Sequence, residues 1–178
     1  MKLRNLIVTG VVTGVVIIGL CLLSAVAPAH ASEGDSALSI SLGYGTYAIP
    51  DHRPDGGVLG VEYERGISDA LSLRLAGAGG LYVGDGQTSY SGQLVAGMTY
   101  LFDVIKYVPY ASAGVGGIVI AGGEDGSRLS ALVELSVGLE VLHSRRFSYG
   151  VQLRAETFIQ ETSSFAAGVR ATYHWGFF

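Results

Sequence analysis

From Leu129 the chain reads LSALVELSVGLEV, with Leu129, Ala131, Val133, Leu135, Val137, Leu139 and Val141 on one parity. Ser130, Leu132, Glu134, Ser136, Gly138 and Glu140 occupy the other. Alternation with a period of two predicts a strand with two unlike faces. The next segment repeats it, with Phe147, Tyr149, Val151, Leu153 and Ala155 against Ser148, Gly150, Gln152, Arg154 and Glu156. The last segment sets Phe165, Ala167, Val169, Ala171, Tyr173, Trp175 and Phe177 against Gly168, Arg170, Thr172 and His174. The same grammar holds upstream. Leu38, Ile40, Leu42 and Tyr44 oppose serines and glycines; Leu59, Val61 and Tyr63 oppose Glu62 and Glu64. Leu71, Leu73, Leu75, Leu81 and Val83 oppose Ser72 and Arg74; Tyr90, Leu94, Met98, Tyr100 and Phe102 oppose Gln93 and Thr99. In VPYASAGVGGIVI both faces are small or apolar and the phase is ambiguous.

These segments make eight strands, each near the roughly 9–11 residues that a tilted strand needs to cross a bilayer. Tight turns at 66–70, 103–107 and 143–146 alternate with more polar, mostly longer connections at 48–57, 84–89, 121–128 and 160–164. Glycine, proline, aspartate and serine fill the connections, as turn geometry demands. The expected fold is all-β: an eight-stranded antiparallel up-and-down barrel, whose closure leaves no exposed sheet edge.

Two barrels fit this pattern. A secreted lipocalin-like barrel turns its apolar face inward around a ligand. A transmembrane β-barrel turns it outward into lipid. The polar face favours the second, because it is rich in Gly, Ser and Ala and suits a narrow lumen. Aromatics also gather at strand ends, as interfacial belts do. Tyr63, Tyr100, Phe102, Tyr107, Phe147, Tyr149, Tyr173, Trp175 and Phe177 fall near the tight turns. Tyr44, Tyr82, Tyr90, Phe158 and Phe165 fall near the other end, with Tyr82 and Phe158 out of phase.

The first residues set the compartment. Lys2 and Arg4 precede an apolar run from Leu6 to Ala27, then Pro28 and the small-residue site Ala29-His30-Ala31. This is the layout of a secretory signal, with cleavage expected after Ala31 and residues 32–178 forming one barrel domain. Cys21, the only cysteine, falls inside the leader, so no thiol, disulfide or Cys-based metal site is expected after cleavage. Only 15% of the chain is charged, and the formal net charge is −4. A basic footprint for nucleic acid is absent.

The signal, the eight strands, the VPYASAGVGG segment and a closing strand ending in YHWGFF resemble the small outer-membrane barrels of the OmpA-transmembrane, OmpX and opacity-protein type. The resemblance implies export through the inner membrane and residence in a bacterial outer membrane. It also implies contact with outer-membrane lipid and lipopolysaccharide. Tyr173, Trp175, Phe177 and Phe178 would then serve as the signal read by the barrel-assembly machinery.

Counting from hairpin centres places Glu62 opposite Arg74, and Glu134 opposite or diagonal to Arg154. It also sets Arg154 near Arg170, with Glu156 diagonal. The expectation is a mid-lumen cluster of Glu134, Arg154, Glu156 and Arg170, with Glu62–Arg74 on another part of the wall. Such a cluster reads as a plug that satisfies buried charge, or as a gate. Candidates for chemistry are poor. His143-Ser144 sits in a turn and His174 faces the lumen. His52 with Asp51 and Asp55 offers a weak metal set, and GGEDG lacks the ligand count of a calcium loop. No catalytic, cofactor or metal site is expected. The leading reading is a structural or surface-interacting barrel without enzymatic activity. A lipid-modifying barrel enzyme is the alternative, along with the secreted ligand-binding barrel.

Overall fold

The computed structural model describes residues 34–48, 53–84, 86–102, 106–122, 127–158 and 163–176. The leader with its site at Ala31, the loop residues Asp51 and His52, Glu124 and Asp125 of GGEDG, and Phe177 and Phe178 lie outside them.

Eight strands follow in order: β1 (Ser36–Ala48), β2 (Asp55–Gly66), β3 (Leu71–Gly84), β4 (Gln87–Leu101), β5 (Tyr107–Gly122), β6 (Arg128–Ser144), β7 (Phe147–Phe158) and β8 (Ser163–Trp175). Each pairs antiparallel with its neighbour, and β8 returns to β1 to close the barrel. The closing seam runs from Ser36 beside Trp175 to Ala48 beside Ser163. Ser36, Trp175 and the tight turns share one end of the barrel, the turn end; the longer connections lie at the other, the loop end.

The alternation becomes an inside-out molecule. Leu129 is 73% exposed, Val115 64% and Leu94 60%, whereas Glu134 on the same strand as Leu129 is 0% exposed. Burying carboxylates while displaying leucines is unfavourable in water. The arrangement is stable where the outer face meets hydrocarbon and every backbone group pairs within a closed sheet. A lipocalin-like barrel has the opposite order.

Several local expectations shift. β5 takes one clear phase, with Tyr110, Ser112, Gly114 and Ile118 buried and Ala113, Val115 and Val119 outside. The 84–89 connection contracts to a hairpin. Gly84 pairs with Gln87, and Gly86 takes the positive φ of 76° that such a turn favours. Tyr82 and Phe158, assigned to an outer belt, point into the lumen and are 5% and 3% exposed. Their odd phase is the inward phase. Phe102 also leaves the belt: it is buried, edge-on to Tyr100 with centroids 4.9 Å apart.

Gly138 is among the glycines fixed by packing. Tyr110 pairs directly with Gly138 across β5 and β6, and its ring lies where a Gly138 side chain would begin. The Arg170 guanidinium covers that ring at 4.9 Å. Gly138→Val is expected to displace Tyr110 and cost about 1–3 kcal/mol, the usual penalty for overpacking. Gly92, on the outer face, has nothing within 4 Å of an added Cβ, so Gly92→Ala is expected to stay near the parent. Urea unfolding of the two variants side by side tests the contrast.

Candidate functional site

The lumen is layered. Toward the loop end, Tyr47, Tyr82, Phe158, Ile118, Leu132, Val95 and Ala76 form a buried apolar cluster, with Val58 and Ile120 packed against it. The Tyr47 ring stands 4.3 Å from Tyr82 and 5.9 Å from Phe158, centroid to centroid. Alternation alone predicts no such plug, because it sorts residues to a face without saying that the inner face changes chemistry along its length.

Beneath the plug lies the charged layer, and Glu62 on β2 is its hub. Arg74 Nε donates to Glu62 Oε2 at 2.6 Å, and Arg154 Nη2 donates to Glu62 Oε1 at 3.0 Å. Gln152 Nε2 donates to the same Oε1 at 3.2 Å, and Arg170 Nη1 stands 3.6 Å from Oε2. Arg74 Nη1 reaches across the lumen from β3 to Glu134 on β6 at 2.5 Å. Arg154 Nε is 3.6 Å from Glu134 Oε2. These ties include strands that are not neighbours in the sheet, so they brace the barrel across its bore.

Arg170 carries the network toward the turn end. Its Nη2 lies 3.1 Å from Glu64 Oε1 and its Nε 3.0 Å from Glu140 Oε1. Thr99 donates to Glu64 at 3.0 Å, and Thr172 donates to Glu140 at 2.9 Å. Ser148 also donates to Glu140, and its Oγ lies 3.0 Å from His174 Nε2. Among the described residues, five buried glutamates, at 62, 64, 134, 140 and 156, thus face three buried arginines, at 74, 154 and 170. Hydroxyls and amides hold the carboxylates that arginine does not, as low-dielectric surroundings require.

Four expectations need correction. There is one network, because Glu62 joins the Arg74 side to Arg154 and Arg170. Arg74 lies opposite Glu64, while Glu62 lies opposite Ala76 and meets Arg74 on the diagonal. Arg154 pairs with Ala166, and Arg170 pairs with Gly150, so the two arginines are four positions apart in register. Glu156 stands apart from the ion pairs: Gln93 donates to it at 2.6 Å and Ser164 at 2.5 Å, and no arginine lies within ion-pair distance among the described residues. Sequence reasoning left Glu64 and Glu140 out of the network. Their inward parity was the available signal; their partners were not readable, because guanidiniums reach across several strands.

Tyr173 and Trp175 are exposed on the outer face near the turn end, stacked with centroids 6.0 Å apart. Tyr63 lies 6.2 Å from Trp175 across the seam.

Ser148, His174 and Glu140 bring together the residue types of a hydrolytic triad, but in another order. Ser148 is fully buried and donates its proton to Glu140, so the serine lies between acid and histidine. A nucleophilic serine needs the histidine as its proton acceptor.

No protein-family model and no curated protein matches this chain in sequence. Solved structures match it in shape. Neisserial surface protein A aligns with a TM-score of 0.65 at 13% identity, covering 79% of this chain and 99% of that one. The fold is that of the small outer-membrane β-barrels. Ail, the attachment invasion locus protein of Yersinia pestis, aligns with this barrel at a TM-score of 0.60 and 13% identity, covering 81% of this chain and 100% of its own. The outer membrane enzyme PagL aligns at 0.55 and 14% identity, covering 76% of this chain and 98% of that one. An enzyme thus shares this outer-membrane barrel fold with proteins named for surface location and attachment.

Proposed function

We propose that this chain is an integral outer-membrane barrel with a structural or surface-interacting role, and that it is not an enzyme. The observation that carries the reading is the filled lumen: a charged network under an apolar plug, enclosed by an aliphatic outer face. It supports a rigid anchor for the loops rather than a pore. A broad depression on the outer face, about 710 Å³, lies across β3 to β6 and is lined by Leu75, Gly92, Leu94, Val115, Val119, Leu129 and neighbours without an acid, base or hydroxyl. Nothing there offers a nucleophile. Neisserial surface protein A and Ail carry surface location and attachment in their names, which agrees with this role.

Cell fractionation with a lipid A mass profile tests the proposal. The folded protein is expected in the outer membrane, with heat-dependent mobility on a gel and lipid A of unchanged mass on overexpression. Recovery in the soluble periplasm overturns the location. A lost or added acyl chain on lipid A overturns the non-enzymatic reading.

The proposed partners are outer-membrane lipid, lipopolysaccharide and, during biogenesis, the barrel-assembly machinery. Deleting Phe177 and Phe178 is expected to lower the outer-membrane level severalfold while barrel refolded in detergent keeps its unfolding midpoint. Immunoblots of fractions and urea titration of the refolded protein check the two halves.

A further inference from the structure

We infer that the turn-end rim of β5, β6 and β7 is a binding site for an anionic glycerophospholipid of the adjacent leaflet. The inference rests on the lipid-facing reading of the outer wall and goes beyond it, to headgroup selectivity at one place on the rim.

Lys106, His143, Arg145 and Arg146 are all exposed there. The sheet brings them together. Leu142 N donates to Lys106 O at 3.0 Å, which sets Lys106 beside the end of β6. The β6–β7 register shifts between Leu142 and Ser144, a bulge that holds His143 at the rim. His174 N donates to Arg146 O at 2.9 Å, so the arginine turn abuts the end of β8. Among the described residues, no carboxylate forms an ion pair with Lys106, Arg145 or Arg146. Of the acids described toward this end, Asp69 lies in the turn between β2 and β3, Asp35 sits at the β1–β8 seam beside Gly176, and Glu64 and Glu140 are buried with Arg170.

What lies beneath these cations selects the partner. Tyr107, Phe147 and Tyr149 are 50%, 39% and 50% exposed on the outer face. The Lys106 ammonium stands 6.0 Å from the centre of the Tyr107 ring, and the His143 ring 6.3 Å from that of Tyr149. Lys106 and His143 therefore sit at the level of the aromatic belt, where headgroups lie. Below Tyr107 the outward residues of β5 are small: Pro109, Ala111 and Ala113. They run between Tyr100 and Met98 on β4 and Leu139 and Val137 on β6. Three short side chains between rows of long ones leave a furrow along the wall, leading away from the basic rim. A phosphate at the rim with an acyl chain in the furrow satisfies both chemistries at once. A soluble anion uses only the first, and a zwitterionic lipid brings no net negative charge.

Trp175, the only tryptophan, lies at this same end, on the strand that abuts the arginine turn. It is a built-in reporter. The barrel is folded into phosphatidylcholine vesicles containing phosphatidylglycerol, with one lipid or the other brominated on its chains. At equal mole fraction, brominated phosphatidylglycerol is expected to quench Trp175 more strongly than brominated phosphatidylcholine. The local enrichment behind that preference is expected to fall about fivefold for each cation removed and to weaken in high salt. The preference should vanish in Lys106→Ala/Arg145→Ala/Arg146→Ala, with heat-dependent gel mobility confirming that this variant is folded. Equal quenching by both lipids in the parent overturns the site, as does a preference that survives the triple change. Loss of the preference on adding inorganic phosphate instead assigns the rim to a free anion and overturns the lipid. No quenching by either lipid overturns the lipid-facing reading itself.

Discussion

Glu62→Ala is expected to lower the stability of the folded barrel by about 3–5 kcal/mol, the cost of removing one member of a buried ionic group. The loss is large because Glu62 receives Arg74 at 2.6 Å and Arg154 at 3.0 Å, and stands 3.6 Å from Arg170. Three guanidiniums lose their shared acceptor in a site where Glu62 is 1% exposed. Glu62→Gln keeps the shape but not the charge and falls between parent and alanine variant. Glu156→Gln is the control. Its hydrogen bonds come from Gln93 and Ser164 rather than from arginine, so the change is expected to cost about 1 kcal/mol. Urea titration followed by Trp175 fluorescence and gel mobility measures all three. A Glu62→Ala midpoint equal to the parent's would falsify the hub. Planar-bilayer conductance of Glu62→Ala is expected to stay low and intermittent, because the apolar plug above the hub is untouched.

The plug gives the second large effect. Phe158→Ala removes a ring that is 3% exposed and 5.9 Å from Tyr47. Buried Phe→Ala changes cost about 3–5 kcal/mol. Adding Tyr47→Ala deepens the loss by less than a second full increment, because the two rings share contacts. An apolar constriction excludes ions by staying dry, so the double variant admits water to the charged layer and shows brief openings. Arg74 still spans the bore to Glu134 below, so a steady conductance does not develop until Glu62→Ala is added. A stable open channel in the Tyr47→Ala/Phe158→Ala variant alone shows that the charged layer does not block the bore.

The closed barrel was legible in the sequence because a period of two is a local property. Val133, Leu135 and Val137 sort from Glu134 and Ser136 within one strand, without help from distant residues. Register was less legible. The turn at 67–70 hydrogen-bonds Ile67 N and Ser68 N to Leu71 O, at 2.9 and 3.2 Å. That geometry moves the hairpin centre and sets Glu64, not Glu62, opposite Arg74. The ion pair with Glu62 forms regardless, since a guanidinium reaches the diagonal neighbour as easily. The plug was legible in part: Tyr82 and Phe158 broke the outward phase, and that breach was the inward signal. Contacts such as Arg74 to Glu134 were not legible at all, because they depend on the curvature of the whole sheet and the narrowness of the bore.

The seam between β1 and β8 also completes the charge balance of the lumen. Arg170, on the last strand, donates to Ser39 on the first at 2.7 Å and meets Glu64 on the second at 3.1 Å. Ser39 and Thr172 share a hydrogen bond of 3.0 Å across the same joint. Without β8, Glu64 and Glu140 lack the Arg170 guanidinium and keep only, among the described residues, the hydroxyls of Thr99 and Ser148. A barrel lacking β8 is therefore expected to hold two lumen carboxylates without their guanidinium, and docking of that strand supplies it.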